Sequence, residues 1–255
     1  MCGLFGLFVK EPTAVTEEQR RQLIMLLGRK SETRGKDSYG MLLRWKDDKE
    51  QQIYKIAKDV GNFGLIRKDK KLLNTIGKSH LILGHTRHGT HGSATKENAH
   101  PFETPSFVAA HNGVISGYST FLKETLLLPE GDTDSETFFC WVESTKENKL
   151  EAFLEAPSSQ AFWMFDKATD SFYLITTSGP LHAIVTPSLI MFSSEDIITE
   201  TSYQAVFKDK IKSVQLSDFG KKRIFAVVDG HLEMIKEEST YYNQGRFPGI
   251  EYAGH

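Results

Sequence analysis

Cys2 stands directly behind the first methionine, in Met1-Cys2-Gly3-Leu4-Phe5-Gly6. Removal of Met1, which aminopeptidases carry out before small residues, would leave a free α-amine beside the thiol. The amine titrates at about 7.7–8.0, where a general base is most effective. The thiolate is the attacking form of a cysteine. One residue would then carry both a nucleophile and the acceptor for its proton. The plain alternative is a small apolar residue opening a strand. A second concentration of chemistry lies in mid-chain, where six of the nine histidines fall between His80 and His111. His85, His88 and His91 are spaced by three, and imidazoles gather at zinc sites. No cysteine lies nearby, no HExxH pattern occurs, and Gly89 and Gly92 interrupt any helical face. We therefore expect neither metal nor cofactor.

The elements that must position these residues are legible in outline. Leu4 to Lys10 reads as a buried strand. Thr16-Glu17-Glu18-Gln19 has the capping-box pattern ahead of an apolar helical face over Leu23 to Leu27. Met41 to Trp45 and Gln52 to Ala57 read as strands joined by the charged hairpin Lys46 to Glu50. Asp69 to Ile76 suits a helix; His80 to Gly84 and Phe107 to Ala110 suit strands. Between those two strands runs Arg87 to Ser106, a loop long enough to be functional. Helices are expected over Asp134 to Ser144 and Lys149 to Ala156. Short strands follow at Ala161 to Phe165, Phe172 to Thr176, His182 to Val185, Leu189 to Phe192, Ile224 to Val228 and His231 to Ile235. Strands, then helices, then many strands argue for α+β with antiparallel sheets. After Lys236 the chain turns polar, and residues 237–255 read as a tail.

Bulk composition excludes several classes. The 255 residues can bury a sizeable core. A net charge of -2 gives no electrostatic footprint for nucleic acid. Two cysteines, Cys2 and Cys140, make no disulfide framework, and a reducing cytoplasm is the expected home. The apolar run Leu4 to Val9 is too short for a signal-peptide core, and no stretch approaches a membrane span.

Five motifs occur in order. They are Cys2-Gly3, Arg34-Gly35-Lys36-Asp37-Ser38-Tyr39-Gly40, His85-Thr86-Arg87-His88-Gly89-Thr90-His91-Gly92 with Asn98-Ala99-His100-Pro101, His111-Asn112-Gly113, and Thr133-Asp134-Ser135-Glu136. Together they resemble the glutaminase domain of class II glutamine amidotransferases, which are N-terminal-nucleophile hydrolases. The likeness is greatest to the domain of glucosamine-6-phosphate synthase and next to that of amidophosphoribosyltransferase, and spans about residues 2 to 200. It implies a four-layer αββα sandwich over residues 2–236, with two antiparallel sheets between helical layers. It also implies that Cys2 attacks the side-chain amide of glutamine, with the Asn112 amide and the Gly113 N–H as oxyanion donors. Arg87 would clamp the α-carboxylate, Asp134 would receive the α-ammonium, and Thr90 and His91 would line the pocket. Arg34 and Asp37 would support the site from behind. Read without the resemblance, Asn112-Gly113 suits a type I′ turn, Arg87 a surface ion pair, Asp134 a helix N-cap and Asp37 a structural salt bridge.

The chain departs from the family pattern at His88-Gly89, where Trp-Ala is usual in the loop that closes over glutamine. It departs again at Phe102, after the proline. Cys140 sits in an apolar helical stretch and suits a buried, inert thiol. No sugar-isomerase domain, phosphoribosyl signature or ATP-pyrophosphatase loop is recognised. A glutaminase supplying ammonia to a separate synthase protein is therefore expected, with homo-oligomerisation left open. A stand-alone amidohydrolase of a γ-glutamyl metabolite is the alternative. A catalytically silent binding or regulatory module on the same scaffold is a second.

Overall fold

The computed structural model describes residues 2–47, 49–89, 92–146 and 148–239. Two antiparallel sheets lie face to face. The first has seven strands: β1 (Gly3–Val9), β2 (Ser38–Lys46), β3 (Gln52–Val60), β4 (Leu81–Arg87), β9 (His182–Val185), β10 (Leu189–Ser193) and β11 (Val214–Gln215). Their order is β11-β9-β10-β1-β4-β2-β3, which sets β1 near the middle. The second has six: β5 (Phe102–Glu103), β6 (Phe107–Asn112), β7 (Gln160–Asp166), β8 (Ser171–Thr177), β12 (Lys221–Val228) and β13 (His231–Ser239), in the order β13-β12-β8-β7-β6-β5.

Strand side chains alternate between faces, so each sheet feeds two cores. Between the sheets, Leu4, Leu42 and Leu83 meet Val108, Ala110, Trp163 and Leu174. The Trp163 indole crosses the gap to donate to the Gly84 carbonyl at 3.0 Å. On the outer face of the first sheet, Phe5, Leu7 and Met41 pack against Leu23 and Leu27 of α1 (Glu17–Ser31), Ile76 of α2 (Lys70–Lys78) and Ile198 of α6 (Asp196–Phe207). On the outer face of the second, Phe107, Phe162 and Ile175 pack against Phe138, Phe139 and Val142 of α4 (Asp134–Ser144). Helix, sheet, sheet and helix make the expected four layers.

Local chemistry accounts for most boundaries. Thr16 and Gln19 form the reciprocal capping box of α1. Asp69 caps α2 through the Leu72 N–H at 2.9 Å. The helix expected over Lys149 to Ala156 is shorter: α5 covers Lys149–Ala152 and a 3-10 turn covers Phe153–Glu155. Pro157 disfavours helical backbone at Ala156, which is extended (ψ 125°). Two helices escape the sequence reading. The short α3 (Tyr118–Glu124) has no fully buried residue and rests on the core through half-buried Tyr118 and Phe121, too brief a pattern to mark a helix. Helix α6 mixes Ile and Thr in a strand-like pattern, and its N-cap, Glu195, makes no side-chain cap bond. Of the stretch expected as a polar tail, the described residues 237–239 belong to β13.

Candidate active site

Register alone brings the first residues together. In the first sheet Gly3 pairs with Thr86, and Ser38 pairs with Arg87. Cys2, Asp37 and Arg87 therefore share one edge, where the Asp37 N–H donates to the Arg87 carbonyl at 2.9 Å. At the same edge β10 ends, and Ser194 locks onto β1. Its N–H donates to the Leu4 carbonyl at 3.0 Å and its hydroxyl accepts from the Leu4 N–H at 2.9 Å. In the facing sheet β6 ends at Asn112.

Cys2 is 8 % exposed, and its thiol donates to the His88 carbonyl at 3.6 Å. Burial pushes the thiol up from its ordinary value, opposed by the His88 contact and the Arg87 charge. A thiol in that state needs a base at hand before it can attack. The Cys2 carbonyl is gripped by Arg34, whose Nε donates at 2.6 Å while its Nη1 pairs with Glu195 at 2.7 Å. The neighbours of the Asn112 amide set its orientation. Its nitrogen donates to the Cys2 carbonyl at 2.9 Å, and its oxygen accepts from Arg34 Nη2 at 3.3 Å and from the Ser194 hydroxyl at 3.2 Å. The reverse orientation would face an amide oxygen to a carbonyl and an amide nitrogen to a guanidinium. Asn112 and Gly113 do not form a type I′ hairpin turn. After β6 the chain passes into α3 rather than back into a neighbouring strand.

Arg87 is no surface ion pair. It is 3 % exposed, and it donates to the Ser93 carbonyl at 3.1 Å and the Gly92 carbonyl at 3.3 Å. Asp134 is not the N-cap of α4. Thr133 takes that place, accepting from the Glu136 N–H, because its hydroxyl reaches the third helical residue while Asp134 already lies in the first turn. The Asp134 carboxylate turns inward and accepts from the Ile115 N–H at 2.7 Å, just past Gly113. Its charge raises the Cys2 thiol while that of Arg87 lowers it, so both act on the nucleophile through space. Asp37 does not touch Cys2. It accepts from the Gly89 N–H at 2.9 Å and faces His88 Nδ1 at 3.3 Å, holding the loop that carries the His88 carbonyl. Thr90 and His91 lie outside the described residues.

His85 and His88 serve separate partners. His85 is fully buried, and its Nε2–H donates across the sheets to the His111 carbonyl at 2.9 Å. Among the described residues no group of three or more His, Cys, Asp or Glu side chains is placed to hold a metal ion. Cys140 is buried, and burial pushes its thiol to about 12. No helix among the described residues is long and apolar enough to cross a membrane. Ser194, Glu195 and Gln160 belong to this neighbourhood yet carried no assigned role in the sequence. All three lie within the span of family likeness, and Gln160 gave no signal beyond a polar residue just ahead of an apolar strand.

The family model for class II glutamine amidotransferases matches residues 1–217. Similar curated proteins are named glutamine–fructose-6-phosphate aminotransferase (isomerizing). That of Streptococcus pyogenes serotype M3 is 34 % identical over 194 residues, covering 71 % of this chain and 30 % of the relative. That of Shouchella clausii is 29 % identical over 195 residues, with the same two shares. That of Listeria innocua is 29 % identical over 257 residues, covering 94 % of this chain and 38 % of the relative. The chain thus spans about a third of the length of these relatives.

Proposed function

The chain belongs to the class II glutamine amidotransferases, and from that premise we propose that it hydrolyses the side-chain amide of glutamine through a thioester on Cys2. The observation that carries this reading is the convergence on Cys2 of Arg34 and Asn112, with Arg87 and Asp134 close enough to act on its thiol. Loss of Met1 frees the Cys2 α-amine. As sulfur bonds to the amide carbon, the thiol proton passes to that amine, directly or through water. The carbonyl oxygen becomes an oxyanion held by the Asn112 amide and the Gly113 N–H. Losing one such donor costs about 2.7–4 kcal/mol of transition-state stabilisation. The amine then delivers its proton to the departing nitrogen, the C–N bond breaks and ammonia leaves. Water attacks the thioester with the amine again as base, giving glutamate and restoring the thiol.

Recognition of the amino-acid end falls to opposite charges. The Arg87 guanidinium offers two parallel charge-assisted bonds to the α-carboxylate, and Asp134 offers its carboxylate to the α-ammonium. The relatives are named as aminotransferases acting on fructose-6-phosphate. By the same logic the ammonia made here serves an acceptor molecule at a synthase site.

The test is turnover of glutamine and a panel of γ-glutamyl amides by the native protein and by Cys2→Ala, with intact mass read beforehand. Loss of Met1, glutamate release, and its disappearance in Cys2→Ala are expected. Turnover above a few percent in Cys2→Ala, or an active protein with a blocked terminus, refutes the mechanism. Cleavage of γ-glutamyl metabolites with glutamine untouched would reassign the substrate.

A further inference from the structure

Gln160 opens β7 and is 1 % exposed. Its backbone is tied on both sides. The N–H donates to Thr177 Oγ1 at 3.0 Å, and the carbonyl accepts from the Gly179 N–H at 3.0 Å. The side-chain nitrogen donates to the Val114 carbonyl at 2.8 Å and to the Pro157 carbonyl at 2.5 Å. Both amide hydrogens are thereby used against groups that can only accept. The amide oxygen must then face His111 Nε2, 2.7 Å away. An oxygen acceptor there requires the imidazole proton on Nε2. Burial lowers the basicity of His111, so Nδ1 keeps its lone pair and accepts from the Ser135 hydroxyl at 2.9 Å. The ring also stacks on Phe162 at 4.9 Å.

One side chain thus grips the run His111-Asn112-Gly113-Val114 at both ends, through the His111 ring and through the Val114 carbonyl. Gly113 lies directly on that grip. Its φ is +149°, and an added Cβ would overlap the Gln160 oxygen and come within 2.8 Å of His111 Nε2. We infer that Gln160 is a positioning residue for the oxyanion donors: by bracketing Asn112-Gly113 it fixes where the amide and backbone N–H groups stand relative to Cys2. This inference rests on the glutaminase reading, because it assigns those donors to an oxyanion. A misplacement on the order of 1 Å in such a group costs about 10²-fold in rate.

Two variants separate the parts of the bracket. Gln160→Met keeps the length and loses every side-chain polar contact. Gln160→Glu keeps an acceptor for His111 and loses both donors. The imidazole proton is read by long-range 1H–15N correlation on histidine-labelled protein, and turnover is read as separate kcat and KM values. Alkylation of Cys2 by iodoacetamide, which needs no oxyanion donor, monitors the nucleophile. Expected are an Nε2–H His111 in the native protein, loss of that single tautomer in Gln160→Met, and its retention in Gln160→Glu. In both variants kcat should fall 10- to 100-fold, with KM and alkylation within about threefold. An Nδ1–H His111 in the native protein overturns the inference, as does native-like kcat in the variants. Should Gln160→Met not fold, Gln160→Glu carries the kinetic test. A native protein that cleaves no γ-glutamyl amide would sink the glutaminase reading, while the imidazole spectrum would still decide the bracket.

Discussion

Acid should destabilise this protein well above the carboxylate range, because it stores uncharged imidazoles inside. His85 and His100 are almost wholly buried, their rings 4.0 Å apart, and His100 also meets Phe102 at 4.7 Å. Burial lowers His85 to about 3, and burial with the neighbouring His85 holds His100 well below its ordinary value. In the unfolded chain both titrate near 6.5. Below that pH the unfolded state takes up protons that the native state refuses, so stability is fully present above about 6.5 and falls as pH drops toward the native values. Between pH 7.5 and 5.5 each such histidine contributes a loss of about 1.4 kcal/mol, or roughly 3 kcal/mol for the two. His111, lowered chiefly by burial, and His80, lowered by burial to about 4, act in the same direction. The assay is urea unfolding at the two pH values for the native protein and for His100→Phe, which keeps an aromatic ring of similar size beside Phe102. The native protein should lose about 3 kcal/mol or more, and His100→Phe about 1.4 kcal/mol less than the native loss. Equal losses in the two, or a native loss under about 1 kcal/mol, would show that these imidazoles are hydrated or charged in the folded protein.

Two further perturbations address the site. Arg87→Lys keeps a charge and loses the planar fork, so the glutamine KM should rise roughly tenfold or more while kcat changes little, as for a charge-assisted bond of about 1.5–3 kcal/mol; an unchanged KM would count against the clamp. Gly113→Ala places a Cβ against the Gln160–His111 bond at a φ of +149°. It should lower kcat about 100-fold and stability by about 1–3 kcal/mol, read by steady-state kinetics and urea unfolding; near-native values would refute the tight packing beneath the oxyanion turn.

Much of the frame was legible in the chain. Continuous apolar runs in β1 and β2 announce strands with two buried faces, and Thr16-Gln19 announces the start of α1. The motifs around Cys2, Arg34, Arg87, Asn112 and Asp134 carry the resemblance from which the proposed chemistry follows, because residue type and order are read directly from the chain. What the chain did not disclose is who touches whom. That Arg34 rather than Asp37 grips the Cys2 carbonyl depends on where the turn after α1 meets the end of β10. That Thr133 rather than Asp134 caps α4 frees a carboxylate to face inward. Gln160 lies 48 residues from Asn112 in sequence and acquires meaning only when β7 pairs with β6. Local sequence specifies propensity, capping and reactive groups, which act within a few residues. The orientation of a buried amide or imidazole is set by partners from distant strands, and only the packed sheets bring those partners within hydrogen-bonding reach.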